Sequence, residues 1–466
     1  MLKRIIHYFF PDLSPHEIRK FSLIGGIAFV LLATYWLLKL LKQTIFFKVA
    51  FPEAFGWVDQ QGALFQPIAK FWSPIVVLVA VLLYSKLIDL VKKHQLFYII
   101  CTFYGFIFLG ITGVLLIREW YGIEALGKEV LAATGWVVYF SVESFGSLIF
   151  ALFWSFTNSI TDSDTAKRGF PLVMAFAQTG ALLGSVFLLC GSSWGTLWPM
   201  VGIAALGTFG IMIMVRHFMK TIPAQELVGN ERAAATENRK EGFFEGFFSG
   251  ITLLLSRPYL LGIFAITTID SITTEILEYQ MHRLAATCPS YGSEATFCWF
   301  QSLFGVCTNV VSLLLVIFGI TYALRSFGLR RSLLIYPIMF ALVLVLLLSF
   351  SFLWSQTTLA IAWAIFAALM VLRGLSLAFQ QPLKEILYIP TSKDAKFKSK
   401  GWIDMFGGRF AKSASGSLNN LYKYDLSSLM LYGSLLSFGF IGIWIVAALY
   451  VGTKHHKLTQ DNKIVE

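Results

Sequence analysis

Apolar runs too long for an ordinary water-soluble core recur along this chain. PIVVLVAVLLY occupies 74–84 and LLIYPIMFALVLVLLLSFSF occupies 333–352. A helix that crosses the hydrocarbon layer needs about 20 predominantly apolar residues, and the second run supplies them alone. The runs are continuous, whereas the strands of a membrane β-barrel alternate over about ten residues, so a barrel is excluded. Composition agrees: 57% of residues are hydrophobic, 14% are charged, and there are 44 Phe, 13 Trp and 17 Tyr. A soluble domain is about one-quarter charged. The expected class is an all-α polytopic membrane protein. Disordered, collagen-like, coiled-coil and disulfide-stapled secreted chains are excluded on the same grounds.

Hydropathy gives about twelve spans, near 21–47, 67–85, 96–117, 130–158, 170–191, 196–216, 259–280, 297–322, 332–353, 357–379, 401–421 and 429–451. The eleventh, WIDMFGGRFAKSASGSLNNLY, is small and polar, so it belongs inside a bundle and not against lipid. No cleavable signal or transit peptide is evident at the start. With both termini placed in the cytoplasm, 26 of the 37 Lys and Arg fall in inside segments and 6 in outside loops, Lys70 among the latter. That bias supports an even number of spans with both ends inside; the expected location is a bacterial inner membrane. It also explains most of the net charge of +11 without a nucleic-acid partner.

The longest polar stretch separates spans six and seven. The expected organisation is a cytoplasmic N-terminal segment (1–20), a six-helix bundle (21–216), a cytoplasmic linker (217–258), a second six-helix bundle (259–451) and a cytoplasmic tail (452–466). YSKLIDLVKKHQLFY after span two and YALRSFGLRRSLLIY after span eight form a faint repeat. Two six-helix halves with such loops resemble the major-facilitator architecture.

Charges inside spans are costly and are retained mostly where they face a partner or a cavity. Lys39 and Lys42 lie three residues apart at the end of span one and share a face. Glu143, Ser147, Trp154 and Asn158 make one stripe along span four. Asp270, Glu275 and Glu278 are in span seven, Arg373 in span ten, and Asp404, Arg409 and Lys412 in span eleven. By analogy with the major-facilitator fold, spans one, four, seven and ten line a central cavity. Lys42, Arg373, Arg409 and Lys412 suit a multiply charged anion, because Arg offers a planar fork to phosphate oxygens and Lys a point charge. Phe140, Trp154 or Trp402 could stack on a base. Three plainer readings stand beside this one: the charged groups simply pair and hold the two halves together, Lys39 snorkels to the interface, and Asp270 and Asp404 are solvated near helix ends. The in-span groups number five of each sign. An anion site therefore requires that the acids pair with the bases in the empty carrier, or that Glu143 or Glu278 carries a proton. None of the seven His falls deep in an expected span.

The chain contains no GxxxxGK[ST], HExxH or GxSxG motif. No enzyme activity, cofactor or metal is expected. Of the five Cys, Cys101, Cys190 and Cys307 are expected as small core residues. Cys288 and Cys298 flank CPSYGSEATFC and could pair if that stretch is extracytoplasmic.

Three stretches carry a resemblance to a known family. They are Lys42-Gln43-Thr44; VESFGSLIFALFWSFTNSITDSDTAKRGFPL (142–172); and PLKEILYIPTSKDAKFKSKGWIDMFGGRFAKSASGSL (382–418). SRPYLLGI…TEILEYQMHR (256–283) is a weaker fourth. The chain resembles the ATP/ADP translocases of plastids and obligate intracellular bacteria (the TLC family). The resemblance implies a twelve-helix carrier that exchanges ATP for ADP, with Lys42, Glu143, Glu278 and Lys412 at the family's charged transport positions. Lys39, Asn158, Glu275, Arg373 and Arg409 complete the expected substrate-binding set. Departures from the pattern include Gln43, Ser159, Glu275 and His282 where the family has Asp, Glu, Asn and Lys. The expected partners are the nucleotides and the bilayer, and a monomer suffices. The alternatives are a proton-coupled nucleotide symporter, a carrier of another nucleotide such as NAD, a non-transporting nucleotide receptor and a membrane-embedded enzyme.

Overall fold

A computed structural model describes residues 13–91, 93–223, 252–318, 320–353, 358–376, 380–388, 390–391, 403 and 407–461. The long helices are α1 (Pro15–Thr44), α2 (Gln61–Leu90), α3 (Lys93–Tyr121), α4 (Gly127–Ser159), α5 (Ser163–Gly191) and α6 (Trp198–Thr221). After the central segment come α7 (Pro258–Thr287), α8 (Glu294–Phe318), α9 (Ile320–Leu353), α10 (Thr358–Leu375), α11 (Gly408–Tyr422) and α12 (Leu426–Gln460). Eleven helices among the described residues are long and apolar enough to cross a membrane, and α11 is the polar exception.

Local chemistry sets the helix starts. Ser14 accepts from Glu17 N–H (3.3 Å) while Glu17 accepts from Ser14 N–H (2.8 Å), a capping box with Pro15 behind it. Asp162 caps α5 by accepting from Thr165 N–H at 3.2 Å. Hydrogen bonds from Thr165 hold the Asp162 carboxyl below its ordinary pKa. Gly328 interrupts α9 with φ 67° and ψ 168°, a conformation open chiefly to glycine.

The chain divides into two compact units. The first comprises Met1–Gly62, Ile75–Arg239 and Ser293–Val306; the second comprises Ala63–Pro74, Lys240–Gly292 and Cys307–Glu466. In the first, α1 packs on α4, α5 and α6, and α3 packs on α4 and α6. In the second, α7 packs on α10, α11 and α12, and α9 packs on α10 and α12. The pairing scheme is the same with each helix number advanced by six, so the faint sequence repeat has a structural counterpart. Large apolar side chains such as Phe103, Phe106, Leu206, Ile213, Leu346 and Val446 are exposed. On a soluble protein such surface would aggregate; on spanning helices it meets lipid.

Candidate functional site

In the first unit the charges meet at the end of α1. Lys42 Nζ lies 2.5 Å from Glu143 Oε1 of α4, with side-chain exposures of 7% and 15%. Tyr139, one turn before Glu143, presents its ring 4.5 Å from the same ammonium. Lys39 Nζ sits 4.5 Å from the Trp36 ring. Directly after Lys42-Gln43-Thr44 the helix widens into a π-turn, Ile45–Val49, a form that recurs at functional sites. Asn158 is exposed near the end of α4, about 22 Å along the axis from Glu143 at 1.5 Å per residue. The structure does not bring it to the ion pair. Phe140 stacks on Trp136 and Trp154 packs edge-on to Phe170; Trp402 and Asp404 lie outside the described residues.

The second unit carries more charge. Arg373 Nη2 of α10 lies 2.5 Å from Glu278 Oε2 of α7. One turn earlier, Glu275 Oε2 meets Lys70 Nζ at 2.6 Å, and Lys412 of α11 adds its charge close to Glu275. Arg409 precedes Lys412 by one turn. Ala411 packs with Ile272 and Ile276, which seats α11 against this stretch of α7. Each half-site therefore carries more cations than carboxylates. Lys42 and Lys39 accompany Glu143; Lys70, Arg373, Arg409 and Lys412 accompany Glu275 and Glu278.

Three sequence expectations need correction. Lys70 is not in an outside loop: it lies within α2, 5% exposed, and pairs with Glu275. His282 lies inside α7, which continues to Thr287, and is 1% exposed. Asp270 is not a solvated helix-end residue. It is buried and accepts from Tyr336 Oη of α9 (3.0 Å) and from Ser376 Oγ just past α10 (3.1 Å). That carboxylate ties α7 to α9 and to the end of α10, and the Arg373 charge that pairs with Glu278 also acts on it. Cys288 and Cys298 are buried and are not joined in a disulfide; Cys101 is buried as expected, whereas Cys190 is exposed. The described residues hold no cluster of His, Cys, Asp and Glu that could bind a metal.

Paired intramembrane charges of this kind occur in carriers, and comparison with known proteins identifies which. The family model described as TLC ATP/ADP transporter matches residues 1–455. The chain belongs to this family. Among TLC relatives, ADP,ATP carrier protein 1 of Chlamydia pneumoniae is 24% identical, over 95% of this chain and 92% of its own length. ADP,ATP carrier protein 4 of Rickettsia felis is 23% identical over 90% and 87%. The chloroplastic ADP,ATP carrier protein 1 of Arabidopsis thaliana is 22% identical over 85% and 69%. Solved structures similar in fold include the POT family transporter PepTSo, with a TM-score of 0.61 at 13% identity, covering 96% of this chain and 99% of that one. The nucleoside transporter NupG follows at 0.57 and 13%, covering 94% and 99%. The TLC chain thus has the major-facilitator-like fold of a multi-pass membrane transporter.

Proposed function

We propose that this chain exchanges ATP for ADP across a membrane by alternating access. The observation that carries the proposal is the set of buried ion pairs on spanning helices of a TLC family member: Lys42–Glu143 in one unit, Lys70–Glu275 and Arg373–Glu278 in the other. A buried pair is poor value for stability alone, because desolvation offsets most of its attraction. A carrier of polyphosphates gains from it, since the carboxylates keep the cations in place when no substrate is bound. We assign phosphate binding to Lys42, Arg409 and Lys412, with Lys39 and Arg373 supporting. Glu143, Glu275 and Glu278 serve as counter-charges. Strict exchange follows if reorientation of an empty, net-cationic carrier is too costly. The Lys and Arg bias supports both termini in the cytoplasm, and the Chlamydia and Rickettsia relatives support a bacterial inner membrane. A carrier of this kind moves its substrate unchanged and is not an enzyme.

The direct test loads proteoliposomes with ADP and adds labelled ATP outside. Uptake that depends on internal ADP is the expected result; no uptake of any nucleotide sinks the proposal. Lys412→Ala is expected to lose most uptake while its melting temperature stays at the wild-type value.

A further inference from the structure

We infer that Lys70 of α2, with Gln66 one turn before it, is a phosphate-binding element of the C-terminal half-site, and that Glu275 is the counter-charge Lys70 holds in the empty carrier. This rests on the nucleotide-exchange reading and adds residues that hydropathy assigns to a span edge or a loop.

The first turns of α2 are held in place by polar and backbone contacts. Ser413 Oγ of α11 donates to Phe71 O at 2.8 Å, and Tyr279 Oη of α7 donates to Ala63 O at 3.2 Å. A Cβ at Gly416 would stand 2.7 Å from Pro67 O, so only glycine lets α11 approach α2 this closely. These contacts set Lys70 against Glu275.

The pair leaves hydrogen-bonding capacity unused. An ammonium has three N–H donors, and Lys70, 5% exposed, has one carboxylate oxygen, Glu275 Oε2, at 2.6 Å to take one of them. Gln66 shares its face of α2 at i, i+4 and is fully buried, and neither its Nε2 nor its Oε1 has a partner among those residues. Buried polar groups are normally satisfied, so two adjacent ones short of acceptors are chemically matched to a ligand rich in oxygens. Glu275 is also within reach of the Lys412 charge, and Glu278, three residues on, is taken by Arg373. A terminal phosphate group carries nearly two negative charges near pH 7, against one on a carboxylate. It can therefore displace Glu275 from Lys70, and the more phosphates the nucleotide carries, the larger the gain.

The experiment is counterflow in proteoliposomes with ATP, ADP and AMP as labelled substrates. It uses wild type, Lys70→Gln, Lys70→Arg, Glu275→Gln and the Lys70→Gln/Glu275→Gln double variant. Each is checked in detergent for its melting temperature and for the upward shift that ATP produces. Losing one charge-assisted contact to phosphate is expected to raise the KM of Lys70→Gln for ATP by about tenfold or more, with a smaller rise for ADP. Lys70→Arg keeps the wild-type preference. Glu275→Gln frees Lys70 and lowers the KM for ATP severalfold. The double variant remains as poor with ATP as Lys70→Gln alone. A purely structural pair gives the opposite pattern: the double variant recovers wild-type KM values, or Glu275→Gln leaves the KM for ATP unchanged or raises it. Either result overturns the inference. If Lys70→Gln does not fold, Glu275→Gln decides by the same criterion. Wild-type exchange with an unchanged ATP-to-ADP preference in folded Lys70→Gln removes this inference alone. A wild-type protein that exchanges no nucleotide removes the proposed function as well.

Discussion

The two units share a helix-pairing scheme and differ in what fills it. The first unit is cored by aromatic and aliphatic side chains, among them Phe21, Phe97, Phe108, Phe145 and Phe218, all nearly inaccessible. Its helices approach closely: a Cβ at Gly180 would lie 2.2 Å from Phe29 O, and one at Gly184 2.4 Å from Ala33 O, so α5 rests directly on the backbone of α1. This is small-xxx-small packing, in which dispersion and not exclusion of water holds the helices. It fixes α1 and so the Lys42–Glu143 pair. The second unit puts charge and hydroxyl groups at the equivalent place. Its α11 is polar along its length, and two ion pairs and the Asp270 network tie α7 to α2, α9 and α10. One arrangement is suited to rigidity, the other to contacts that an anionic ligand can exchange.

The largest expected effect tests the rigidity of the first unit. Gly184→Leu drives a side chain into the Ala33 carbonyl and costs more than about 3 kcal/mol, beyond ordinary overpacking; size-exclusion chromatography should recover no folded protein. Gly439→Leu on α12 meets no atom within 4 Å at its Cβ and should fold normally. Equal outcomes would break the contrast between the units. Next comes Lys42→Gln, which strands a buried carboxylate at a cost of about 3–5 kcal/mol. Lys42→Gln/Glu143→Gln should regain most of the melting temperature and none of the transport. Transport by the double variant would place the pair outside the site.

A smaller effect is expected at Asp270. Asp270→Ala leaves the Tyr336 and Ser376 hydroxyls without their acceptor and should cost about 1–3 kcal/mol. Asp270→Asn keeps an acceptor and should lose less. If the two variants melt alike, the carboxylate is not the tie between α7, α9 and α10. The smallest effect concerns the α5 cap. Asp162→Ala should cost about 1 kcal/mol at neutral pH. Because the folded carboxyl titrates below its ordinary value, the cap contributes fully above the unfolded pKa and is lost as pH falls through the folded one. The difference between wild type and Asp162→Ala should therefore vanish in acid, read as convergence of their melting temperatures.

Much of this molecule was legible in advance. Long apolar runs announced the spanning helices, and the polar composition of α11 set it apart from them, although only one side of it is buried. Lys42, Glu143, Glu278 and Arg373 stood out because a charge amid apolar residues is costly unless it has a partner. Lys70 and Gln66 did not stand out. The first turns of α2 are polar, and a hydropathy window reads polar residues beside an apolar run as loop. They are polar because they pack on α7 and α11 and not on lipid. The burial of His282 has the same origin, since α7 continues past its apolar stretch.

The sequence by itself determined the class, the spans, the orientation bias and the family, because each depends on which residue types occur in which order along one strand of chain. Only the tertiary structure decided the pairing. It gave Lys42 to Glu143, Lys70 to Glu275 and Arg373 to Glu278, and it gave Asp270 the hydroxyls of Tyr336 and Ser376. A helix turns by about 100° per residue, so partners from helices far apart along the chain are chosen by rotation and register. Hydropathy, which averages around the helix, carries no trace of either.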